Sequence, residues 1–392
     1  MSDLNDQEEF INADEVQEVL EDGNEMDEDL IDDENDMDEE NVDMEQYAAE
    51  LQEEFNQQDD SIQGFFEHKE PVFTVAFHPS DITMAASGGG NDESYLWNPT
   101  TGDKIVDLGK HTDSVSAIAF NHDGTFVASA GLDGKLFIFN LQGELQNTLE
   151  GPTEISWVNW HPRGNVIIAG GEDGTVWMWS VPSGQCMNVF TGHADAATCG
   201  QFTPNGKSIV TGCADGSIVV WDPKTGAAMH KWTAADGRFH QAGITSLSVS
   251  KDSSMIASGA EDGTTRLLQI STTKIVGNFD DHPSSVESIE FCKDYPYVAT
   301  SDVDGHISVW DYTNMKLRFS AKHEEAVTKL KWSHNGTLLS ASFDCTIKNW
   351  DARTGALLHT LKGHHNAILD FDVHKDRVVT GSDDGTCLVF AI

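Results

Sequence analysis

A short pattern recurs eight times from residue 68 onward, and it constrains the fold more than any other feature. In each copy an Asp, once replaced by Asn, lies six residues before a large apolar residue that is usually Trp. The pairs are Asn91–Trp97, Asp133–Phe139, Asp173–Trp179, Asp215–Trp221, Asp262–Leu268, Asp304–Trp310, Asp344–Trp350 and Asp384–Phe390. Successive copies are 42, 40, 42, 47, 42, 40 and 40 residues apart. A period of about 41 residues is typical of a β-propeller in which each WD40-type repeat forms one blade.

Two further positions recur with the same period. A Ser or Thr lies four residues before the turn Asp, at Ser87, Ser129, Thr211, Ser258, Thr300, Ser340 and Thr380. A His opens seven repeats, at His68, His111, His193, His240, His282, His323 and His364. The third repeat lacks both, with Gly151 and Ala169 in their places. A joint loss is expected if the two side chains form a hydrogen bond with each other. Removing one of them leaves the other buried without a partner, which costs about 1–3 kcal/mol.

The His is predicted to bridge the turn Asp and the strand Ser or Thr, which bonds onward to the Trp indole. Three repeats carry all four members: His193/Thr211/Asp215/Trp221, His282/Thr300/Asp304/Trp310 and His323/Ser340/Asp344/Trp350. Ser, His and Asp also form the triad of hydrolases. A catalytic triad occurs once per site, whereas this set recurs around a ring, so we expect a structural network, no catalytic residues and no enzyme.

Short strands alternate with Gly- and Asp-rich turns between these markers. In the second repeat the predicted strands are Val115–Phe120, Phe126–Ser129 and Lys135–Asn140. Each repeat is therefore a small antiparallel sheet that must stack on its neighbours. The eighth repeat reaches residue 392 with its third strand, and Ser61–Phe66 precedes the first His. We predict that residues 61–66 close the ring as the missing outer strand, which removes an exposed sheet edge.

Residues 1–60 form a different kind of segment from the predicted propeller of residues 61–392. They contain 27 Asp and Glu but no Lys or Arg, within a chain whose net charge is −43. Such a segment repels itself and buries too little apolar area to fold, so a disordered acidic tail is predicted. Glu8–Leu20 and Met44–Phe55 have weak helical periodicity that a partner could induce to fold. The tail either keeps the chain soluble or helps to hold a basic client.

Composition excludes several classes of protein. No apolar run reaches 18 residues, so no membrane span is expected, and the acidic N-terminus is unlike a targeting signal. The six cysteines lack C-x-x-C spacing and are expected to be core residues in a reducing compartment. The histidines follow the repeat instead of clustering, so we expect no metal and no cofactor. Gly88–Gly90 lacks the Lys and helix of a phosphate loop, and the net charge opposes direct binding of nucleic acid.

One face of the predicted propeller is a candidate binding surface. In WD-type blades three positions commonly point to that face: the third and fifth residues after the His, and the residue before the turn Asp. Of these 24 positions none is Lys or Arg, and five are acidic: Glu154, Glu172, Glu261, Glu287 and Asp383. Apolar residues lie between them, at Phe73, Leu132, Val303, Phe343 and Leu369. Further carboxylates flank the same loops, at Asp113, Asp195, Glu324 and Glu325.

An acidic face with apolar contacts suits a partner segment rich in Arg and Lys. The alternative is that an acidic protein simply has acidic loops. We predict that Phe73, Leu132, Phe343, Leu369 and the five acidic residues bind the partner.

Three stretches carry a resemblance to a known family: Trp160–Cys186, with its WMW sequence, Ala197–Asp222 and Asp351–Phe371. They resemble a eukaryotic WD-repeat family that includes the angio-associated migratory cell protein and a fungal ribosome-assembly chaperone. The resemblance implies a cytoplasmic chaperone, with nuclear presence left open. Such a protein would bind the basic N-terminal segment of a newly made ribosomal protein of the universal L-sixteen type and deliver it to the large ribosomal subunit.

Other functions remain open at this point. The chain could be a scaffold for signalling or cytoskeletal proteins, as propellers often are, or a histone-type chaperone that acts through its acidic tail. We expect a monomer, because a closed ring needs no partner for stability.

Overall fold

The computed structural model describes residues 58–279 and 282–392. The two helical stretches predicted in the acidic tail lie outside these residues. Every regular element of the described residues is a β-strand, and the 32 strands form eight four-stranded sheets. The predicted all-β, eight-bladed propeller is confirmed.

The strands of the first four blades follow the repeats in order, after a short strand that belongs to the last blade. This first strand is β1 (Gln63–Phe65). Blade 1 contains β2 (Val72–Phe77), β3 (Ala85–Gly89), β4 (Glu93–Trp97) and β5 (Lys104–Lys110). Blade 2 contains β6 (Val115–Phe120), β7 (Phe126–Gly131), β8 (Lys135–Asn140) and β9 (Leu145–Glu150). Blade 3 contains β10 (Ile155–Trp160), β11 (Val166–Gly171), β12 (Val176–Ser180) and β13 (Gln185–Phe190). Blade 4 contains β14 (Cys199–Phe202), β15 (Ile209–Gly212), β16 (Ile218–Trp221) and β17 (Ala228–Trp232).

The remaining blades repeat this arrangement. Blade 5 contains β18 (Ile244–Val249), β19 (Met255–Ala260), β20 (Thr265–Gln269) and β21 (Lys274–Asn278). Blade 6 contains β22 (Val286–Phe291), β23 (Tyr297–Asp302), β24 (His306–Asp311) and β25 (Lys316–Lys322). Blade 7 contains β26 (Val327–Trp332), β27 (Leu338–Ser342), β28 (Ile347–Trp350) and β29 (Leu357–Leu361). Blade 8 contains β30 (Ile368–His374), β31 (Arg377–Ser382) and β32 (Cys387–Ala391), with β1 as its outer strand.

The turn after each repeat Asp has a fixed backbone geometry. The next residue has a positive φ, between 64° and 85°, in all eight blades. Six of these residues are Gly, which adopts this conformation without strain, and the other two are Asp92 and Cys345. At Gly134 an added Cβ would lie 2.7 Å from the carbonyl oxygen of Thr153. The Asp-Gly signal therefore marks a turn that packs tightly against the following blade.

The core lies between the blades. Eight clusters of buried apolar side chains occupy the eight junctions between neighbouring sheets. At the junction of blades 2 and 3, for example, Leu136 and Ile138 pack with Ile155, Ile167 and Trp179. Fully burying one such side chain contributes about 1.5–3 kcal/mol. Since each sheet buries both faces only against two neighbours, every blade depends on the adjacent blades, and blades 1 and 8 depend on closure of the ring.

The ring closes where the start of the propeller meets its end. In β1, Gln63 lies opposite Val389 and Phe65 lies opposite Cys387. The Phe65 ring stacks on that of Trp97 in blade 1, with centroids 5.0 Å apart. Strand β1 therefore pairs with the last sheet and packs against the first.

Residues 58–60, which the sequence analysis grouped with the tail, contact the propeller. The amide of Asp60 donates to the carbonyl oxygen of Lys362 at 2.8 Å, and the amide of Lys362 donates to the Asp60 carboxylate at 3.1 Å. These two bonds tie the chain to the connection between blades 7 and 8.

The predicted pairing of His with Ser or Thr is confirmed in all seven repeats that contain both. The His Nε2 atom lies 2.6–3.0 Å from the hydroxyl oxygen in each of them. In blade 3 a Cβ added at Gly151 would lie 2.9 Å from Trp179, and Ala169 packs in the same apolar cluster. The Trp179 side chain therefore occupies space near the absent His, and apolar packing replaces the polar network.

The predicted turn-Asp partner of the His is wrong in three blades. In blade 4 the Nδ1 atom of His193 lies 3.1 Å from Ser217 Oγ, and in blade 5 that of His240 lies 2.7 Å from Thr264 Oγ1. In blade 6 the Nδ1 atom of His282 lies 3.0 Å from Asp302 and does not pair with the predicted Asp304.

In each of these blades a side chain close to the turn takes the place of the turn Asp beside the His. Asp302 is fully buried and also accepts the amides of Asp304 and His306, at 3.0 and 2.8 Å. In blade 4 Asp215 still accepts the amides of Ser217 and Ala194, as Asp133 accepts those of Lys135 and Thr112 in blade 2, so only its contact with His193 is lost.

The complete predicted set of four is present in blade 7. Here the Ser340 hydroxyl accepts the Trp350 indole N–H at 2.8 Å and lies 2.7 Å from His323 Nε2, and His323 Nδ1 lies 2.7 Å from Asp344. Trp221 keeps its bond to Thr211 in blade 4, whereas the Trp310 indole nitrogen has no hydrogen-bond partner among the described residues.

We expect Ser340→Ala to lower the free energy of unfolding by about 2 kcal/mol, because it removes the buried partner of both Trp350 and His323. The matched control is Ser301→Ala, since Ser301 is equally buried but its hydroxyl has no hydrogen-bond partner among the described residues. Denaturant unfolding monitored by Trp fluorescence measures both changes. Equal losses in the two variants would contradict a stabilising role for the network.

Acid should destabilise the ring through its buried histidines. Burial lowers the pKa of His240 from 6.5 to about 3. As the pH falls below about 6.5, His240 is therefore protonated in the unfolded chain but stays neutral in the folded one. The free energy of unfolding decreases until the pH approaches the pKa of His240 in the folded chain. We expect this effect of His240 to lower the free energy of unfolding by about 2 kcal/mol at pH 5 relative to pH 7. His240→Gln should have a shallower decline in unfolding free energy with falling pH than the parent chain, and parallel slopes would disprove the assignment.

Candidate binding face of the propeller

Two of the three predicted face positions are joined by a backbone hydrogen bond in every blade. The amide of the residue before the turn Asp donates to the carbonyl oxygen of the third residue after the His. The eight bonds, 2.8–3.2 Å long, are Gly90 to Pro71, Leu132 to Ser114, Glu172 to Glu154, Ala214 to Ala196, Glu261 to Gly243, Val303 to Ser285, Phe343 to Ala326 and Asp383 to Ala367. Both positions therefore lie at the same edge of each sheet, and together they form one face of the ring.

The third position is a β-bulge in seven of the eight inner strands. The strand register shifts at Phe73, Ser116, Ser156, Thr245, Glu287, Thr328 and Leu369. A bulge leaves its extra residue outside the ladder and re-aims the side chain. At the bulge, the side chain of the fifth residue after the His therefore departs from the regular in-and-out alternation of side chains along the strand.

Hydroxyl groups at this third position tie several neighbouring blades together, including that of Thr198 in blade 4, where the inner strand begins one residue later. Thr198 Oγ1 donates to the carbonyl oxygen of Ile244 at 2.5 Å, and Thr328 Oγ1 donates to that of Ile368 at 2.9 Å. Ser116 and Thr245 make the equivalent bonds to Ile155 and Val286. At three other junctions the position holds Phe73, Glu287 and Leu369, which have no hydroxyl group to donate. Three of the predicted partner-binding residues thus lie where the bonding pattern between blades is interrupted.

The five predicted acidic residues are all exposed on this face. Glu154 and Glu172 lie in one blade and are joined through the backbone bond of 3.2 Å. A Cβ added at Gly243 would lie 2.9 Å from the Glu261 carboxylate, so that glycine leaves room for the side chain. Glu287 accepts a hydrogen bond from Ser285 at 3.1 Å. The carboxylates are distributed over blades 3, 5, 6 and 8, so they follow an arc of the ring and do not form one cluster.

Two cavities bring the predicted apolar residues into different parts of the face. Phe73 and Leu369 line a cavity of about 560 Å³ that follows the inner strands along the central channel. Phe343 lines a separate cavity of about 510 Å³ between blades 6 and 7, together with Val303, Glu324 and Glu325. Leu132 is joined to Ser114 by its backbone but lines neither of these two cavities.

The cavity between blades 6 and 7, which we call the 6/7 pocket, combines apolar and acidic surface. Phe343 is 44% exposed and Val303 is 39% exposed, so both offer apolar area to a partner. Asp304, Glu324 and Glu325 contribute carboxylates to the lining, and Asp304 was predicted as a turn residue but not as part of the binding face. His306 and Lys322 also line the pocket and were likewise missed, so its wall is not uniformly acidic.

Charged residues inside the channel were also missed by the sequence analysis. Lys329 pairs with Asp370, and Lys331 Nζ lies 2.6 Å from Asp372. Although burial favours the neutral forms, this second pairing holds the pKa of Asp372 below and that of Lys331 above its usual value, so both are charged. Lys329 and Lys331 flank the buried Leu330 in β26, and this alternation is the signal that could have identified them.

The channel pairs also connect the last blade to the first. The amide of Val75 donates to Asp370 at 2.9 Å, and the amide of Phe77 donates to Asp372 at 2.8 Å. These two carboxylates therefore have both lysine and amide partners. Asp370 and Asp372 are consequently less available to a partner than the exposed carboxylates of the loop face.

The arrangement favours binding of an extended, positively charged segment. Exposed carboxylates at repeated positions can pair with Arg and Lys side chains, and the 6/7 pocket can hold an apolar side chain between them. Within the described residues, no helix is long and apolar enough to cross a membrane. The partner-binding role of the nine residues named from the sequence stays a prediction.

Comparison with known proteins supports the family assignment. Residues 71–339 match the family model of the IFT122 first beta-propeller, and residues 355–390 match that of the WD domain, G-beta repeat. The chain is 33% identical to the human angio-associated migratory cell protein over 352 residues, which cover 85% of this chain and 80% of that protein. It is 26% identical to the ribosome assembly protein SQT1 of Saccharomyces cerevisiae, with 86% of this chain and 88% of that protein covered.

A solved structure of similar shape contains a bound partner. It is Chaetomium thermophilum Sqt1 bound to the N-terminus of the ribosomal protein L10, which matches with a TM-score of 0.80 and 26% identity. The alignment covers 86% of this chain and 100% of that chain. The resemblance inferred from the sequence is confirmed, and the chain belongs to the WD-repeat β-propeller family that includes the angio-associated migratory cell protein and Sqt1.

Proposed function

We propose that this protein is a non-enzymatic chaperone that holds the basic N-terminal segment of a newly made large-subunit ribosomal protein on its acidic face. In this proposal it also supports delivery of that protein to the large ribosomal subunit. The observation that carries the proposal is the placement of Glu154, Glu172, Glu261, Glu287 and Asp383 at equivalent, exposed positions of one face. The structure of Sqt1 with the N-terminus of L10 supports the choice of client.

The physical basis is reversible neutralisation of charge. A free basic segment is attracted to the phosphates of any RNA, and the face offers carboxylates that compete for it. One exposed ion pair contributes only about 0.2–1 kcal/mol, so capture requires several pairs along the segment. The Debye screening length is about 8 Å at physiological ionic strength, so salt weakens these exposed ion pairs and the complex stays reversible.

The 6/7 pocket would add a contribution that does not depend on salt. Burying an apolar side chain against Phe343 and Val303 removes area from water, and the surrounding Glu324 and Glu325 can pair with a neighbouring Arg or Lys. The preferred client segment therefore has an aromatic or aliphatic residue close to basic ones. In this proposal the protein acts in the cytoplasm as a monomer and does not bind nucleic acid or membrane directly.

A second candidate is a scaffold for signalling or cytoskeletal complexes. It is supported by the 33% identity to the angio-associated migratory cell protein. Partners of such a scaffold need not be basic, so their affinity need not fall steeply with salt.

Charge reversal of the face tests the proposal. We expect the double variant Glu261→Lys and Glu287→Lys to bind a peptide of the L10 N-terminal segment at least about tenfold more weakly at low salt, which corresponds to ~1.4 kcal/mol. Fluorescence anisotropy with the labelled peptide, repeated across a salt series, measures both the affinity and its salt dependence. The variant should also have a shallower salt slope, because fewer ion pairs remain to be screened.

Two further variants sharpen this experiment. Glu144→Lys reverses an exposed charge outside the face positions, in the turn before β9, and should leave the affinity within about twofold. Phe343→Ala should weaken binding by a similar factor at low and high salt, because it removes apolar contact and no charge. Unchanged peptide affinity in the double variant, or equal losses in Glu144→Lys, would show that the face has been assigned incorrectly.

A further inference from the structure

One blade contains a group of side chains that the repeat network does not explain. In blade 4 the ligand atoms of His193, Cys213 and Asp215 all lie within 4.8 Å of one another. Cys213 and Asp215 lie in the turn between β15 and β16, and His193 opens the repeat 20 residues before Cys213. The sequence predicted no metal site, because the histidines follow the repeat and do not cluster along the chain. Folding of the blade brings His193, Cys213 and Asp215 together.

The His193 ring is held in an orientation suited to binding a metal. Its Nε2 atom lies 2.6 Å from Thr211 Oγ1, so that nitrogen is occupied by a hydrogen bond within the sheet. A metal-binding His typically uses its second ring nitrogen in this way, which fixes the tautomer and the ring. The remaining nitrogen, Nδ1, is 3.1 Å from Ser217 Oγ. In blades 2, 7 and 8 the equivalent nitrogen bonds to the turn Asp, but in blade 4 it does not. Nδ1 therefore has a small hydroxyl as its neighbour, which a metal ion can displace.

The sulfur atom occupies a position where the other blades carry no thiol. The residue two before the turn Asp is Cys213 in blade 4, and elsewhere it is Gly89, Gly131, Gly171, Ala260, Asp302, Ser342 and Ser382. The Cys213 thiol donates to the carbonyl oxygen of Asp195 at 3.2 Å, and its sulfur accepts the amide of Asp215 at 3.3 Å. These two backbone contacts fix the position of the sulfur beside His193 and Asp215.

We propose that His193, Cys213 and Asp215 form a binding site for one zinc ion. Imidazole nitrogen, thiolate sulfur and carboxylate oxygen are the ligand types that zinc takes in tetrahedral sites, and three protein ligands leave the fourth position for water. A set that contains sulfur and nitrogen does not suit magnesium or calcium, which prefer oxygen ligands. The bound ion would join the loop before β14 to the turn after β15, both of which belong to the acidic face.

Cobalt(II) provides a direct test, because it substitutes for zinc and its thiolate complexes absorb in the near ultraviolet. We expect titration of the full-length protein with cobalt(II) to produce a sulfur-to-cobalt absorption band that saturates at one ion per chain, and zinc to abolish it. The many carboxylates of the chain can bind cobalt but cannot produce this band. Absence of the band at saturating cobalt would overturn the proposal without the need for any variant.

Matched variants identify the ligands. Cys213→Ser should abolish the band, whereas Cys199→Ser, which changes a thiol in the adjacent strand, should keep it. Asp215→Asn preserves the size of the side chain and the sulfur, so the band should remain but require roughly tenfold or more cobalt. Circular dichroism checks that each variant folds. A band that persists in Cys213→Ser, or cobalt affinity unchanged in Asp215→Asn, would show that this group is not the site.

Discussion

The propeller depends on the pairing of β1 with β32, because blades 1 and 8 bury both of their faces only when the ring is closed. Three residue pairs form this sheet contact, and Phe65 extends from it to stack on Trp97 of blade 1. The channel carries a second connection across the same junction, in which Asp370 and Asp372 accept the amides of Val75 and Phe77. Closure therefore combines backbone pairing, aromatic packing and carboxylates whose charge is balanced by Lys329 and Lys331. The lysines thus balance the charge of Asp370 and Asp372 at this junction, whereas the five face carboxylates remain exposed.

The binding face follows from the same repeated geometry. Each blade fixes its two loop positions with a backbone hydrogen bond, and seven of the eight blades re-aim a third position with a bulge. A substitution at either loop position therefore changes the face without changing the strand pairing. At Ser116, Thr198, Thr245 and Thr328 the third position bonds to the next blade, and where it is Phe73, Glu287 or Leu369 that bond is replaced by surface available to a partner. The fold thus separates residues that hold the ring from residues that give the face its charge and its apolar contacts. A client recognised by such a face is selected by charge spacing and by one or a few apolar side chains.

Much of this could be predicted from the sequence, because the repeat imposes one geometry eight times. The spacing fixed the number of blades, and the predicted strands Val115–Phe120 and Lys135–Asn140 are β6 and β8. The joint loss of His and Ser or Thr in the third repeat correctly indicated that the two side chains pair. The errors concern the hydrogen-bond partner of the His, which depends on residues beside the turn Asp. Asp302 replaces Asp304 as the partner of His282, and Ser217 replaces Asp215 as the partner of His193. The 6/7 pocket and the cluster around Cys213 also escaped prediction, since both join residues from segments that are distant along the chain.

The most direct test of the account is to capture newly synthesised proteins on the full-length protein at low and moderate salt, and to identify them by mass spectrometry. The account predicts one dominant basic protein of the large ribosomal subunit, released as salt rises and absent when Glu261 and Glu287 are both reversed in charge. A set of signalling or cytoskeletal proteins that stays bound at moderate salt and is retained by the charge-reversed variant would contradict it.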